Sequence, residues 1–409
     1  MRQRYWILLT VALLIWSFFA RGVYEFGWVV ARRASEAVSV RTQPEVLRQD
    51  RSRLVDRATE QADEIDRYLD GRRIDPADPQ RPSAPASSRQ QASSSDRFEH
   101  LRHELRKSLR YPPTGVDLVS AETVLDESLG ADELATYRAI LLPTLPGVHA
   151  SGVYLRPRAA RDDQRLPLLI AAQGRIGPPG QSADGKLRVM NRSRRDLAWD
   201  AIQRGYAVWL PDFVHFRGDD IGVRDRLTVR AWESGESLLA IEIAKVVTAI
   251  DYFSSRADID PSRIAMLGFS YGGFYALYTA ALEPRLRAAA VLGYFNDRQA
   301  VLDASGPVGY LDWRFDRSRN LWRDPVVASL VAPRALIVQA GVQDQLFPIA
   351  GARRAAEETR RQFVDRGADD RFAFDEFVGR HEFDVARVLP FIDRALDFGP
   401  AQAPAGRAR

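Results

Sequence analysis

The chain has 409 residues, 45% of them hydrophobic, enough for one large globular domain with additional segments. Its formal net charge is only +4, and its basic residues, almost all Arg beside Lys107, Lys186 and Lys245, are interspersed with Asp and Glu, a mixed solvated surface that argues against a nucleic-acid partner. There is no Cys, so disulfides, thiolate metal sites, a cysteine nucleophile and a lipoprotein anchor are excluded.

Met1-Arg-Gln-Arg is followed by sixteen mostly apolar residues, Tyr5 to Ala20. As a helix this run spans roughly 24 Å, and Val23 to Ala31 extends it. A cut after Ala20 would place Phe18 where signal peptidase wants a small residue, so residues 1–35 read as a retained membrane anchor in preference to a cleaved signal sequence. The flanking arginines do not set an orientation. The signal-like character of the segment leads to the expectation that the remainder of the chain is exported, to the periplasmic or extracellular side.

Residues 36–96 read as a charged helix and a tether. Glu45 to Asp70 carries a thin apolar stripe (Val46, Leu47, Leu54, Val55, Ile65, Leu69) that breaks around Ala58 to Ala62, which suits a spacer helix better than a self-associating one. Arg72 to Asp96 is Pro, Ser, Ala, Gln and charge, a composition that cannot bury enough surface to order itself.

From residue 97 the pattern becomes that of a folded domain reaching residue 398. A short amphipathic helix (Phe98 to Leu109) precedes strand-like runs at Ala121 to Leu125, Ala135 to Leu142 and Val148 to Leu155. The last two are linked by Pro143-Thr-Leu-Pro-Gly147, as in an antiparallel pair at a sheet edge. Strand and helix patterns then alternate: strands at 166–172, 206–210, 264–267, 288–292, 335–339 and 372–377; helices at 194–204, 237–255, 274–282, 350–366 and 385–396. Such alternation predicts an α/β fold whose mainly parallel central sheet is covered by helices on both faces. The stretch 296–331 is irregular and carries Tyr310, Trp313, Phe315 and Trp322, either a cap insertion over a pocket or part of the core. Residues 399–409 read as a disordered tail.

The chemistry centres on Arg263-Ile-Ala-Met-Leu-Gly-Phe-Ser-Tyr-Gly-Gly-Phe274: a buried strand, a sharp turn with Ser270 at its apex, and a helix. Side chains two residues either way from the apex would collide with strand and helix, which Gly268 and Gly272 avoid. Ser270 is thereby pushed out of the sheet as a nucleophile, and the helix behind it presents N–H groups to a developing oxyanion. A serine needs a base, and the base an orienting acid. Of the five His, only His381 lies beyond the serine, in the loop Val378-Gly-Arg-His-Glu382. Gln339-Ala-Gly-Val-Gln-Asp344 supplies Asp344 in a loop after the preceding strand, with Asp303, Asp312 and Asp365 as weaker rivals. The order Ser270, Asp344, His381 has gaps of 74 (344 − 270) and 37 (381 − 344) residues, each about one strand-helix-strand excursion. Asp344 or His381 could instead be a helix cap. Two main-chain donors are expected for the oxyanion, Tyr271 N–H and, from the Gly- and Pro-rich loop Gln173-Gly174-Arg175-Ile-Gly-Pro-Pro-Gly180, Arg175 N–H.

These residues resemble the α/β-hydrolase superfamily over roughly Val116 to Phe398. The run Asp258-Ile-Asp-Pro-Ser-Arg-Ile-Ala-Met-Leu-Gly-Phe-Ser-Tyr-Gly-Gly is similar to both acetyl xylan esterase and dienelactone hydrolase relatives and the catalytic domain of prolyl-oligopeptidase-like peptidases. Ala332-Pro-Arg-Ala-Leu-Ile-Val-Gln-Ala-Gly-Val-Gln-Asp resembles their acid loop, and the resemblance implies the acid role for Asp344 and the base role for His381. The chain departs from these families in carrying Gln173-Gly174 where they usually have His-Gly, and the residues before Val116 are too few and too polar for the propeller of the peptidases. The resulting expectation is a membrane-tethered serine esterase acting on a small-molecule or polymer-borne ester, without metal or cofactor. A peptidase using the same residues and an inactive hydrolase fold serving as a binding module are the alternatives.

Overall fold

The structure, a computed structural model, describes residues 52–71, 94–114, 123–174, 192–214, 222–304 and 310–399. The expected anchor (1–35), nearly all of the tether and the tail after Gly399 lie outside the described residues. Among those described, no helix is long and apolar enough to cross a membrane.

Among the described residues, nine strands form one sheet: β1 (Leu125–Ala131), β2 (Ala135–Leu145), β3 (Val148–Pro157), β4 (Leu166–Ala172), β5 (Ala207–Asp212), β6 (Ile259–Phe269), β7 (Leu286–Leu292), β8 (Ala335–Gly341) and β9 (Phe372–Phe377). Their order is β1-β2-β3-β5-β4-β6-β7-β8-β9. The first three are antiparallel to their neighbours, and every pair from β5 to β9 is parallel. The central strands are apolar without interruption because both of their faces are covered. Leu168, Ile170, Met266, Val291 and Val338 point to one face; Leu169, Ala171, Leu267, Leu292 and Ile337 point to the other.

The first face carries α2 (Ser94–Leu109), α5 (Leu238–Ser255), α6 (Tyr271–Leu282) and α9 (Ile349–Val364), and the second carries α3 (Arg192–Gln203) and α10 (Val385–Ala395). The domain is thus a mainly parallel sheet between two helical layers, as the alternating pattern predicts. The β2–β3 link is tighter than expected: pairing runs on to Leu145↔Val148, leaving Pro146 and Gly147 as the turn, with Gly147 at φ +74°.

Several expectations need correction. Helix α2 begins at Ser94, inside the stretch read as tether. The first strand lies at 125–131, not 121–125. It is an edge strand whose polar residues find partners, Asp126 taking Arg138 at 2.5 Å and Tyr252 at 3.1 Å, so it lacks the apolar signature. Helix α4 (Gly222–Glu233) has no counterpart in the sequence reading.

Helix α1 (Ser52–Asp70) is not a spacer. Ala62, Ile65, Tyr68 and Leu69 are buried against Leu145, Val148, Leu227 and Ile241. Within the break in its apolar stripe Glu60 is exposed, but Gln61 is buried and accepts a bond from Lys245 Nζ at 2.6 Å; just beyond the break, buried Glu64 holds the His149 N–H and ring Nδ1 at 3.1 Å. Asp66 adds ion pairs with Arg226, at 2.5 Å, and Arg230 of α4. Buried polar groups with partners keep a helix docked while hiding it from a search for hydrophobic period.

The segment after β7 contains α7 (Arg298–Ala304), a 3₁₀ turn at Leu311–Trp313 and α8 (Asp324–Ser329). Core packing is the outcome for three of the four aromatic residues of 296–331: Trp313, Phe315 and Trp322 are buried, the first two against Phe274 and Tyr278 of α6. Tyr310 is half-buried and stacks on Trp313 at 4.3 Å.

Candidate active site

The turn between β6 and α6 sits at the carboxyl end of the central strands. Ser270 adopts φ +54°, ψ −115°, a strained conformation for a residue with a side chain, and its N–H is tied to the Leu292 carbonyl of β7 at 2.8 Å. The flanking glycines are sterically required. A Cβ on Gly268 would lie 1.9 Å from the Gly272 carbonyl oxygen, and one on Gly272 would lie 2.1 Å from the Ala172 carbonyl oxygen at the end of β4. Strand, turn and helix therefore pack backbone to backbone, which leaves the serine side chain only the outward direction.

His381 reaches this serine from the loop between β9 and α10. Its Nε2 is 2.9 Å from Ser270 Oγ, and its Nδ1 is 2.8 Å from Asp344 Oδ2. The carboxylate side chain of Asp344 is 1% exposed and that of His381 23%, so the acid is sealed behind the base while the imidazole keeps an open edge. The other oxygen, Asp344 Oδ1, accepts the main-chain N–H groups of Leu346 and Phe347 at 2.8 and 3.0 Å, which locks the acid loop. Phe347 stacks on the imidazole at 5.6 Å between centroids and Phe269 tilts against it at 4.8 Å, restricting the ring's rotation. With Nδ1–H donated to the carboxylate, Nε2 is left as an acceptor for the serine hydroxyl proton.

The structure therefore brings Ser270, Asp344 and His381 together. It separates them from the rivals: Asp303 is a surface partner of Arg319, Asp365 caps the end of α9, and Asp312 is engaged by Arg224 and Tyr271. His100 and His103 are exposed on α2, and His149 pairs with Glu64. Tyr271 is the first residue of α6, directly after the serine. Arg175 lies outside the described residues. Gly174, its predecessor, does not: a Cβ there would be 3.1 Å from Ser270 Cβ, so the chain at Gly174 lies against the serine.

Two neighbours of the site escape the sequence reading, Arg224 and Phe347. Arg224 is buried in the first turn of α4, where Arg224, Leu227, Thr228 and Ala231 share one helical face. That spacing is the available signal, and the charge at its first position disguises it.

Residues 237–351 match the family model described as the prolyl oligopeptidase family. YtaP of Bacillus subtilis (strain 168), a protein described as a hydrolase, is 30% identical over 165 residues, covering 36% of this chain. That match spans about half of the relative's length, 53%. Among solved structures, a Bacteroides fragilis NCTC 9343 protein described as an acetyl xylan esterase superposes with a TM-score of 0.54 at 15% identity, covering 69% of this chain and 75% of that one. A glucuronoyl esterase from Solibacter usitatus gives 0.55 at 14% identity, over 74% and 93%. The fold is that of the α/β-hydrolase superfamily, and the resemblance extends to the prolyl-oligopeptidase-like branch through its central segment.

Proposed function

We propose that the protein is a serine hydrolase that cleaves carboxylic esters through an acyl-enzyme on Ser270. The observation that carries this reading is the continuous chain from Asp344 Oδ2 through His381 to Ser270 Oγ, with contacts of 2.8 and 2.9 Å. In it, His381 Nε2 takes the hydroxyl proton as Oγ attacks the ester carbonyl, and Asp344 stabilises the imidazolium and holds its tautomer. The carbonyl oxygen becomes an oxyanion, received by the Tyr271 N–H and by a donor from the loop after β4, for which Arg175 N–H is the candidate. Collapse breaks the bond to the alkoxy oxygen, which leaves with the proton from His381. A water, activated by the same imidazole, then attacks the acyl-enzyme and releases the acid.

Support for an ester substrate comes from the named activities of the two superposed esterases, and the match over 237–351 favours a peptidase as the second reading. The two are told apart on the full chain by the ratio of kcat/KM for a short-chain nitrophenyl ester and a proline-containing peptide anilide. Ester turnover that vanishes in Ser270→Ala, with the anilide untouched, is the expected result. A faster anilide would transfer the reaction to peptides, and absence of both activities and of serine-directed labelling would sink the hydrolase reading in favour of a binding module.

We further propose that residues 1–35 anchor the chain in a membrane with its folded part exported, on the strength of the apolar run Tyr5 to Ala20. Alkaline phosphatase fused after Arg409 should then be active and sediment with membranes; an inactive fusion would place the folded part on the other side.

A further inference from the structure

Behind the nucleophile lies a buried charge pair that the reaction above does not use. Arg224 gives Nε and Nη2 to Asp312 Oδ2 at 3.0 and 2.7 Å, Nη1 to the Val214 carbonyl at 2.7 Å, and Nη2 also to the Tyr275 hydroxyl. Both side chains of the pair are 1% exposed. The second oxygen of the aspartate, Oδ1, accepts the Tyr271 hydroxyl at 3.1 Å. The Arg224 guanidinium also lies over the ring of Tyr271, 5.2 Å from its centroid, and Trp313 and Tyr310 flank that ring at 5.0 and 5.9 Å. Burial pushes the Tyr271 phenol up, so it stays protonated and donates. Burial works against the charge of Arg224, but Asp312, Tyr275, Tyr271 and Glu242 more than offset this and hold it above its ordinary range.

A desolvated ion pair is expensive to assemble and rarely repays itself in stability. Its location gives it another use. The peptide that carries the Tyr271 N–H is oriented by ψ of Ser270, which is −115°, in a residue already strained at φ +54°. Rotation of this peptide would relieve the strain there and would turn the N–H away from an oxyanion bound beside the serine. A tyrosine side chain fixed at its far end resists the rotation.

We propose that Asp312, itself held by Arg224, is a positioning residue for the oxyanion donor: by binding the Tyr271 hydroxyl it keeps the Tyr271 main-chain N–H aimed at the developing negative charge. The proposal rests on the serine-hydrolase reading above. The reaction gains from the pair only in the transition state, when the carbonyl oxygen becomes charged, so the effect falls on kcat and not on substrate affinity.

The test is Tyr271→Phe in the full chain, measured with the nitrophenyl ester, with an alkyl boronic acid whose tetrahedral Ser270 adduct places an oxygen at the oxyanion position, and by thermal melting. The ring and the Arg224–Asp312 pair survive this substitution, whereas Asp312→Asn leaves a buried arginine without its counter-charge and serves only as a second variant. The expected result is a fall in kcat of about tenfold, a fraction of the ~10²- to 10³-fold cost of losing a whole donor, with KM within about twofold of wild type. Boronic acid affinity should fall by the same factor as kcat. Wild-type kcat and boronic acid affinity, whatever the melting temperature, would overturn the positioning role and leave the hydrolase reading standing. A wild-type protein with no turnover and no boronic acid binding would overturn both.

Discussion

Gly341 and Arg380 stand so close that a Cβ on the glycine would lie 2.2 Å from the Arg380 carbonyl oxygen and 2.6 Å from that of Gly379. Gly341 ends β8, three residues before Asp344, and Arg380 immediately precedes His381. The acid loop and the base loop are therefore spaced by the absence of one side chain. Gly341→Ala should displace the His381 loop while leaving all three site residues in the chain, and a shift near 1 Å costs on the order of 10² in rate. Ester kcat and the rate of phosphonate labelling at Ser270 should fall together; an unchanged kcat would mean that the loop yields without moving the base.

Asp344→Asn isolates the orienting role of the acid. The Oδ1 that accepts the Leu346 and Phe347 N–H groups is retained by Asn, so the loop persists. The amide facing His381 Nδ1 donates instead of accepting, which selects the wrong tautomer. Turnover should drop by about 10⁴ with little loss of thermal stability. A variant that melts far lower yet retains its turnover would assign Asp344 a purely structural part.

The docked α1 helix makes a stability prediction. Ile65 is fully buried against the body of the domain, and Ile65→Ala should cost about 2–5 kcal/mol in denaturant unfolding. A value near zero would mean that α1 detaches in solution.

Asp324 supplies a pH dependence. It is buried, and burial raises its pKa from 3.8 to about 6, only partly offset by Arg298 and by bonds from Asn296 N–H and Tyr294. A group raised in the folded state contributes stability that is complete below the unfolded pKa and is lost as pH rises through the folded one. Relative to Asp324→Asn, wild type should therefore lose stability between about pH 4 and pH 6, by up to about 3 kcal/mol, and the difference should be flat above that. Parallel stability curves for the two proteins across this window would refute it.

Much of the architecture is legible from pattern alone. The strands from Leu166 onward stand out because they are apolar on both faces, and the run of Phe and Ala places β9 at 372–377. What escapes, namely α4, the docking of α1 and the position of β1, shares a cause. Polar side chains stand in buried or half-buried positions: Arg224 in α4, Gln61 and Glu64 in α1, Asp126 in β1. Each is engaged by a partner elsewhere in the chain, Asp312, Lys245, His149 and Arg138 respectively. A hydrophobic-period argument counts such residues as surface because it cannot see the partner.

Whatever depends on neighbours along the chain can be read from the residues in order. The turn around Ser270 follows from glycines two residues either side, the alternation of strands and helices follows from hydrophobic period, and the chain order of Ser270, Asp344 and His381 is simply read. Which carbonyl meets Gly341, which carboxylate neutralises Arg224, and what lies beneath Ile65 are contacts between segments many tens of residues apart. Hydrophobic period says that a side chain is buried but not against what, so these contacts are fixed only when the sheet closes and its helices pack.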